Sequence, residues 1–193
     1  MTKATRFALF AAPLAMTGYG VVRYVGRLDD AYGPGFDWQL AHVLGLAGFV
    51  LFVPVVLGLR RMLPAGPWRE VAAGAALFGL ATSMVQFAVD IVQAFRAADK
   101  AELQSLQNDF TELPGVQAVI YDFGPLFFFV GLVTLAALAV RAGRLPWWSP
   151  VVLLIGVLLP LVTLDLMPVT GVLTLAALLP LTREARREAA PVG

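Results

Sequence analysis

Apolar residues along this chain fall in long blocks, each ended by a short polar or charged stretch. Six runs without a charged side chain occupy 7–22, 39–59, 71–89, 123–140, 145–164 and 166–182. A helix needs about 20 predominantly apolar residues to cross a hydrocarbon core ~30 Å thick. With interfacial residues added at their ends, the expected spans are 7–25, 38–59, 68–95, 118–140, 147–164 and 167–183. The first and last uncharged runs are short and must borrow such residues or meet a thinner bilayer. Only Asp165 separates the last two runs. A single helix through 145–182 would be about 57 Å long at ~1.5 Å per residue, and Pro160 and Pro168 oppose its continuity. A tight reversal at Asp165-Leu166-Met167-Pro168 is expected instead. The predicted fold class is all-α, an integral membrane bundle of six transmembrane helices in one domain.

Charge orients the bundle. With the N-terminus inside, the inner segments collect Lys3, Arg6, Arg60, Arg61, Arg69, Arg141, Arg144, Arg183, Arg186 and Arg187. The outer segments hold Arg23, Arg27, Arg96 and Lys100. That asymmetry follows the positive-inside rule, with both termini cytoplasmic. Five spans would put the cluster at 183–187 outside. A rival reading takes Lys3, Arg6 and the apolar run ending near Leu14-Ala15 as a cleaved signal peptide. Tyr19, Arg23 and Tyr24 favour the interfacial end of a retained helix. The first outer loop, with Asp29-Asp30 and Gly33-Pro34-Gly35, is turn-rich. The second, 97–115, carries Leu103, Leu106 and Phe110 on one face of a short amphipathic helix, expected to lie on the outer membrane surface.

Composition agrees with lipid as the solvent. Apolar residues are 59% and charged residues 14% of 193, against roughly half and a quarter in soluble domains. A net charge of +1 leaves no basic footprint for nucleic acid. Zero cysteines exclude disulfides and thiolate chemistry, and one histidine argues against a histidine metal site. No nucleotide-binding glycine motif follows a strand. Neither metal nor redox cofactor is therefore expected. Arginine greatly outnumbers lysine, which suggests a high-GC, bacterial genome and hence the plasma (inner) membrane. The expected partners are the lipid bilayer and a lipophilic small molecule, with oligomeric state left open.

Polar residues converge on the outer half. Ser83, Gln86, Asp90 and Gln93 lie on one narrow face of the third span, which continues inward as Ala72, Ala76 and Gly79. His42 enters the second span one turn after Trp38, Asp122 and Tyr121 begin the fourth, Asp165 sits at the hairpin, and Arg23 and Tyr24 end the first. An outward-opening polar pocket over a tightly packed inner half is expected. Several members have plainer roles: Asp165 and Asp122 as caps, Arg23 as a snorkelling cation, His42 as an interior hydrogen-bonding group, and Trp38, Trp147 and Trp148 as an aromatic belt. Asp90 stands apart, since an ionisable group within a span costs ~2.5–3.5 kcal/mol at mid-helix and demands a partner or a function. Arg23 and His42 are the expected partners.

The stretch Phe123-Gly124-Pro125-Leu126 through Arg141-Ala142-Gly143-Arg144-Leu145-Pro146-Trp147, with His42-Val43-Leu44-Gly45-Leu46, resembles small uncharacterised bacterial multi-span membrane proteins. That resemblance implies no activity. In size and outer carboxylates the chain is similar to small integral-membrane terpene cyclases, although no motif of theirs is matched. The leading expectation from the pocket residues is acid–base isomerisation or cyclisation of an isoprenoid-type lipophile. Burial favours the neutral form of a carboxyl, so Asp90 is the expected proton donor, with Asp165 or Asp122 as counter-base. His42, Gln86, Gln93, Arg23, Tyr24 and Tyr121 are the expected substrate contacts. The aromatic faces of Tyr24, Phe87, Tyr121 and Phe127 are expected to stabilise a carbocation. A non-catalytic lipid-binding or accessory subunit is the second reading, and a proton-coupled transporter the third.

Overall fold

A computed structural model describes residues 1–28 and 32–182. Among these, the structure is wholly helical: α1 (Lys3–Gly26), α2 (Phe36–Met62), α3 (Pro67–Arg96), α4 (Lys100–Thr111), a π-helical turn (Gln117–Asp122), α5 (Gly124–Arg141), α6 (Trp148–Val162), a 3-10 turn (Leu164–Leu166) and α7 (Met167–Leu178). Five segments are long and apolar enough to cross a membrane, namely Lys3–Gly26, Phe36–Met62, Pro67–Arg96, Gln117–Arg141 and Leu164–Thr182. The protein is a multi-pass membrane protein in a lipid bilayer environment. The sixth expected span is the apolar but shorter α6, of 15 residues, about 22 Å of helix against a ~30 Å core. The cluster at 183–187 and the Asp29-Asp30 pair lie outside the described residues.

Local chemistry explains where the helices start and stop. Thr2 caps α1 by accepting from the Thr5 amide at 3.1 Å, and Asp99 caps α4 through the amides of Ala101 and Glu102, each at 2.9 Å. The reversal after α6 occurs where the sequence predicts it. Its cap is Thr163, whose hydroxyl accepts from the Asp165 amide at 3.2 Å, so the Asp165 carboxylate is left for another partner. Pro160 lacks the amide that would bond the carbonyl four residues earlier. That carbonyl, on Gly156, instead accepts from the Thr170 hydroxyl at 2.8 Å, tying α7 to α6.

The six long helices close into a ring in the order α1, α2, α3, α5, α6, α7, each packing on its two neighbours. The small-residue stripe of α3 does what its composition predicts. A Cβ on Gly79 would strike the Phe128 backbone, and one on Gly131 would meet Ala72 and Ala76, so α3 and α5 touch almost backbone to backbone. Phe128, Leu80, Leu132, Leu135, Leu153 and Leu178 fill the interior at 2% exposure or less. Phe127 is exposed on the outside of the bundle and Phe128 is buried within it.

The amphipathic helix exists, and it is docked on the end of the bundle through one buried residue. Leu103 on α4 is 3% exposed, and the Gln93 amide donates to the Leu106 carbonyl at 2.9 Å. Leu106 and Phe110 of the same face are half-buried.

Candidate functional site

Asp90 is 5% exposed near the C-terminal end of α3, and its neighbours arrive from three other elements. The Tyr121 hydroxyl, from the π-helical turn, donates to Asp90 Oδ1 at 3.2 Å. His42 of α2 places Nε2 3.9 Å from Asp90 Oδ2. The Gln107 side chain of α4 faces the same carboxylate. An extra residue per turn at Gln117–Asp122 brings Tyr121 inward while Asp122 points out. Such π turns recur at functional sites.

The tautomer of His42 follows from its bonds. Nδ1 lies 2.7 Å from the Trp38 carbonyl, an oxygen that only accepts, so Nδ1 carries a proton. Nε2 is then the nitrogen that gains or releases one, and it faces Asp90. At 3.9 Å the pair is too long for a direct hydrogen bond, and the two groups face each other. Rings hold the imidazole in place. Trp38 stacks on it with centroids 4.2 Å apart, while Phe87 at 5.3 Å and Tyr19 at 6.0 Å close its other sides.

Several buried polar atoms of α2, α3 and the α1–α2 connection have no hydrogen-bond partner among the described residues: Trp38 Nε1, Tyr32 Oη, Gln39 Oε1, Gln93 Oε1 and Ser83 Oγ. Trp38 and Gln39 lie within a turn of His42 and Gln93 within a turn of Asp90, while the Tyr32 ring packs on Trp38. Tyr32 lies in the α1–α2 connection, where burial first and the neighbouring Tyr19 phenol second push its hydroxyl above the ordinary range. It stays a neutral hydroxyl. Unpaired buried polar atoms are costly, and a polar ligand group would relieve them.

Not every expected member joins. Arg23 and Arg27 both donate to Asp165 Oδ1, at 2.6 and 2.8 Å. This latch joins the end of α1 to the hairpin, so Arg23 is engaged with Asp165 and Asp90 takes His42 and Tyr121. Asp122 is exposed and accepts from Gln117 at 2.8 Å. Tyr24 and Phe127 are 49% and 46% exposed, pointing away from Asp90. Gln86 is half-buried one turn inward. Gln93 joins as the tie to α4. The expected open pocket is closed, because α4 lies across it.

Residues 25–185 match the model of a family described as a domain of unknown function, DUF4386. The chain belongs to this family. The match takes in His42, Asp90, Tyr121 and Asp165, whereas Tyr19 and Arg23 of α1 precede it. No curated protein and no solved structure matches the chain. In this DUF4386 member, three contributors escaped sequence reasoning. Trp38 and His42 are four apart on α2, which puts indole and imidazole on one face, yet the belt reading claimed the tryptophan. Gln107 shares a face of α4 with Leu103 and Phe110. Tyr19 offered no signal beyond its spacing from Arg23.

Proposed function

We propose that the chain crosses a bacterial plasma membrane six times with both termini cytoplasmic, and that Asp90 and His42 move protons on a lipophilic, isoprenoid-type substrate, isomerising or cyclising it. One observation carries the catalytic reading: an imidazole fixed by Trp38 presents its titrating nitrogen to a buried carboxyl 3.9 Å away. A buried acid and a base that face each other supply both halves of acid–base chemistry. The proton goes from Asp90 to an alkene carbon, and the resulting cation closes or shifts. A neighbouring carbon then loses a proton to His42 Nε2, and on product release His42 gives a proton to solvent while Asp90 regains one from it. Atoms and charge balance, and product and substrate are isomers. His42 takes over the counter-base role expected of Asp165, whose carboxylate is held by two arginines.

The surroundings suit a cation in transit. Phe87, Tyr19 and Trp38 present ring faces or edges around His42, and such faces attract positive charge. Tyr121 orients the carboxyl, and α4 excludes water from it. Proton-coupled transport is less favoured, because the stripe of α3 below Ser83 runs into Ala72, Ala76 and Gly79 without a further polar group.

The test is lipid and metabolite profiling of cells carrying the wild-type gene, Asp90→Asn, or none. The proposal expects one lipid to be replaced by an isomer of equal mass only with the wild type. A lipid that is retained on the purified protein yet unchanged in all three would favour the binding reading and overturn catalysis.

A further inference from the structure

At the opposite end of the bundle, a cavity of about 280 Å³ lies between the α2–α3 turn and the last turn of α5. Its floor is apolar, formed by Leu63, Pro64 and Leu138, and its rim carries Arg69 and Arg141. Arg69 is fixed there. It binds Glu70 through Nε and Nη2 and donates from Nη1 to the Leu63 carbonyl at 3.1 Å. Glu70 also accepts from Arg60 at 2.7 Å. Two guanidinium groups thus share one carboxylate, and neither an ion pair nor a hydrogen bond engages the Arg141 side chain among the described residues. Trp68, on the same rim, is 72% exposed and Trp147 of the next turn 75%. Exposed tryptophans at helix ends mark the headgroup level of a bilayer.

We propose that this cavity is a binding site for an anionic membrane phospholipid. Its phosphate pairs with Arg141 beside Arg69, and the first carbons of its acyl chains lie on Leu63, Pro64 and Leu138. Charge and depth together choose the occupant. The excess of guanidinium over carboxylate calls for an anion, and arginine forks match phosphate oxygens. An apolar floor at headgroup depth suits a lipid better than a free phosphate, which has nothing to lay on it. The site lies at the other end of the bundle from Asp90 and is independent of the catalytic reading.

The test uses the full-length protein in nanodiscs of equimolar phosphatidylglycerol and phosphatidylcholine, with lipids co-released on detergent transfer counted by native mass spectrometry. A parallel arm adds inorganic phosphate to lipid-stripped protein and follows thermal unfolding. Wild type is expected to retain phosphatidylglycerol selectively. Arg141→Gln should weaken that retention about tenfold, the scale of one charge-assisted contact, and Arg141→Lys should restore part of it. Gly66→Leu supplies a second test that leaves charge untouched. A Cβ at Gly66 meets nothing within 4 Å, so the larger side chain fills the cavity mouth without disturbing the fold. It should lower retention as well. Arg96→Gln, at the other end, should not. Equal retention of the two lipids, unchanged retention in both Arg141→Gln and Gly66→Leu, or stabilisation by inorganic phosphate to the same degree as by phosphatidylglycerol would each overturn the proposal.

Discussion

If α4 is the cover of the Asp90 site, the side chain that holds it down is Leu103, and Leu103→Ala should unlatch it. Leu103 is 3% exposed and is the buried residue of α4. Its helix is otherwise held by a hydrogen bond from Gln93, by Gln107 against the Asp90 carboxylate and by a ring contact of Phe110 with Tyr121 at 6.4 Å. Truncating a buried leucine costs ~2–5 kcal/mol. At the rim of the bundle, where neighbours and lipid relax into the gap, about 2–3 kcal/mol is the appropriate part of that range. At ~1.4 kcal/mol per decade this multiplies the undocked population by roughly 30 to 150. Hydrogen–deuterium exchange in detergent micelles reads it directly. Amides of 103–111 should speed up by about that factor, while those in the middle of α3 and α5 keep their wild-type rates. An increase under threefold on α4, or equal acceleration throughout the bundle, would refute α4 as a separately docked cover.

Other predictions concern the frame. Because the chain has no cysteine, Ser105→Cys should react with an impermeant maleimide in intact cells, and Ala65→Cys only after permeabilisation. The reverse pattern would invert the orientation. Gly131→Val drives a branched side chain into the α3 backbone at Ala72 and Ala76. It should lower stability by at least the ~1–3 kcal/mol of overpacking, seen as a fall in Tm, and an unchanged Tm would deny the close contact. Asp165→Asn removes the charge shared by Arg23 and Arg27. With the pair partly exposed, a loss of roughly 1–2 kcal/mol is expected, and Arg23→Gln made on top of it should add little.

The bundle was legible because a bilayer imposes length and polarity on every segment. Uncharged runs therefore located the helices, and Pro160 with Pro168 located the hairpin. The stripe from Ala72 to Gln93 was legible for a related reason: helical periodicity relates positions on one helix without knowledge of any other. What periodicity cannot supply is which helix faces which. Asp90, Asp122 and Asp165 look alike in sequence, three carboxylates at one depth. Packing separates them into a buried acid beside His42, an exposed group on Gln117, and the anchor of two arginines. The position of α4 was hidden likewise. An amphipathic face at a membrane surface and one docked on a bundle have the same spacing, and only the covered Leu103 distinguishes them.

The central claim is that Asp90 and His42 pass a proton into and out of a lipophilic substrate, and solvent deuterium tests it most directly. Purified protein is incubated with lipid extract from cells lacking the gene, once in H2O and once in D2O, and products are resolved by chromatography and mass. In H2O a new species of unchanged mass should appear. In D2O the same species should gain one deuterium, because the donated proton exchanges with solvent between turnovers. Asp90→Asn and His42→Gln should abolish it, while Asp122→Asn, at an exposed carboxylate, should leave it intact. A product formed without deuterium, or formed as fast by Asp90→Asn as by the wild type, would contradict the account.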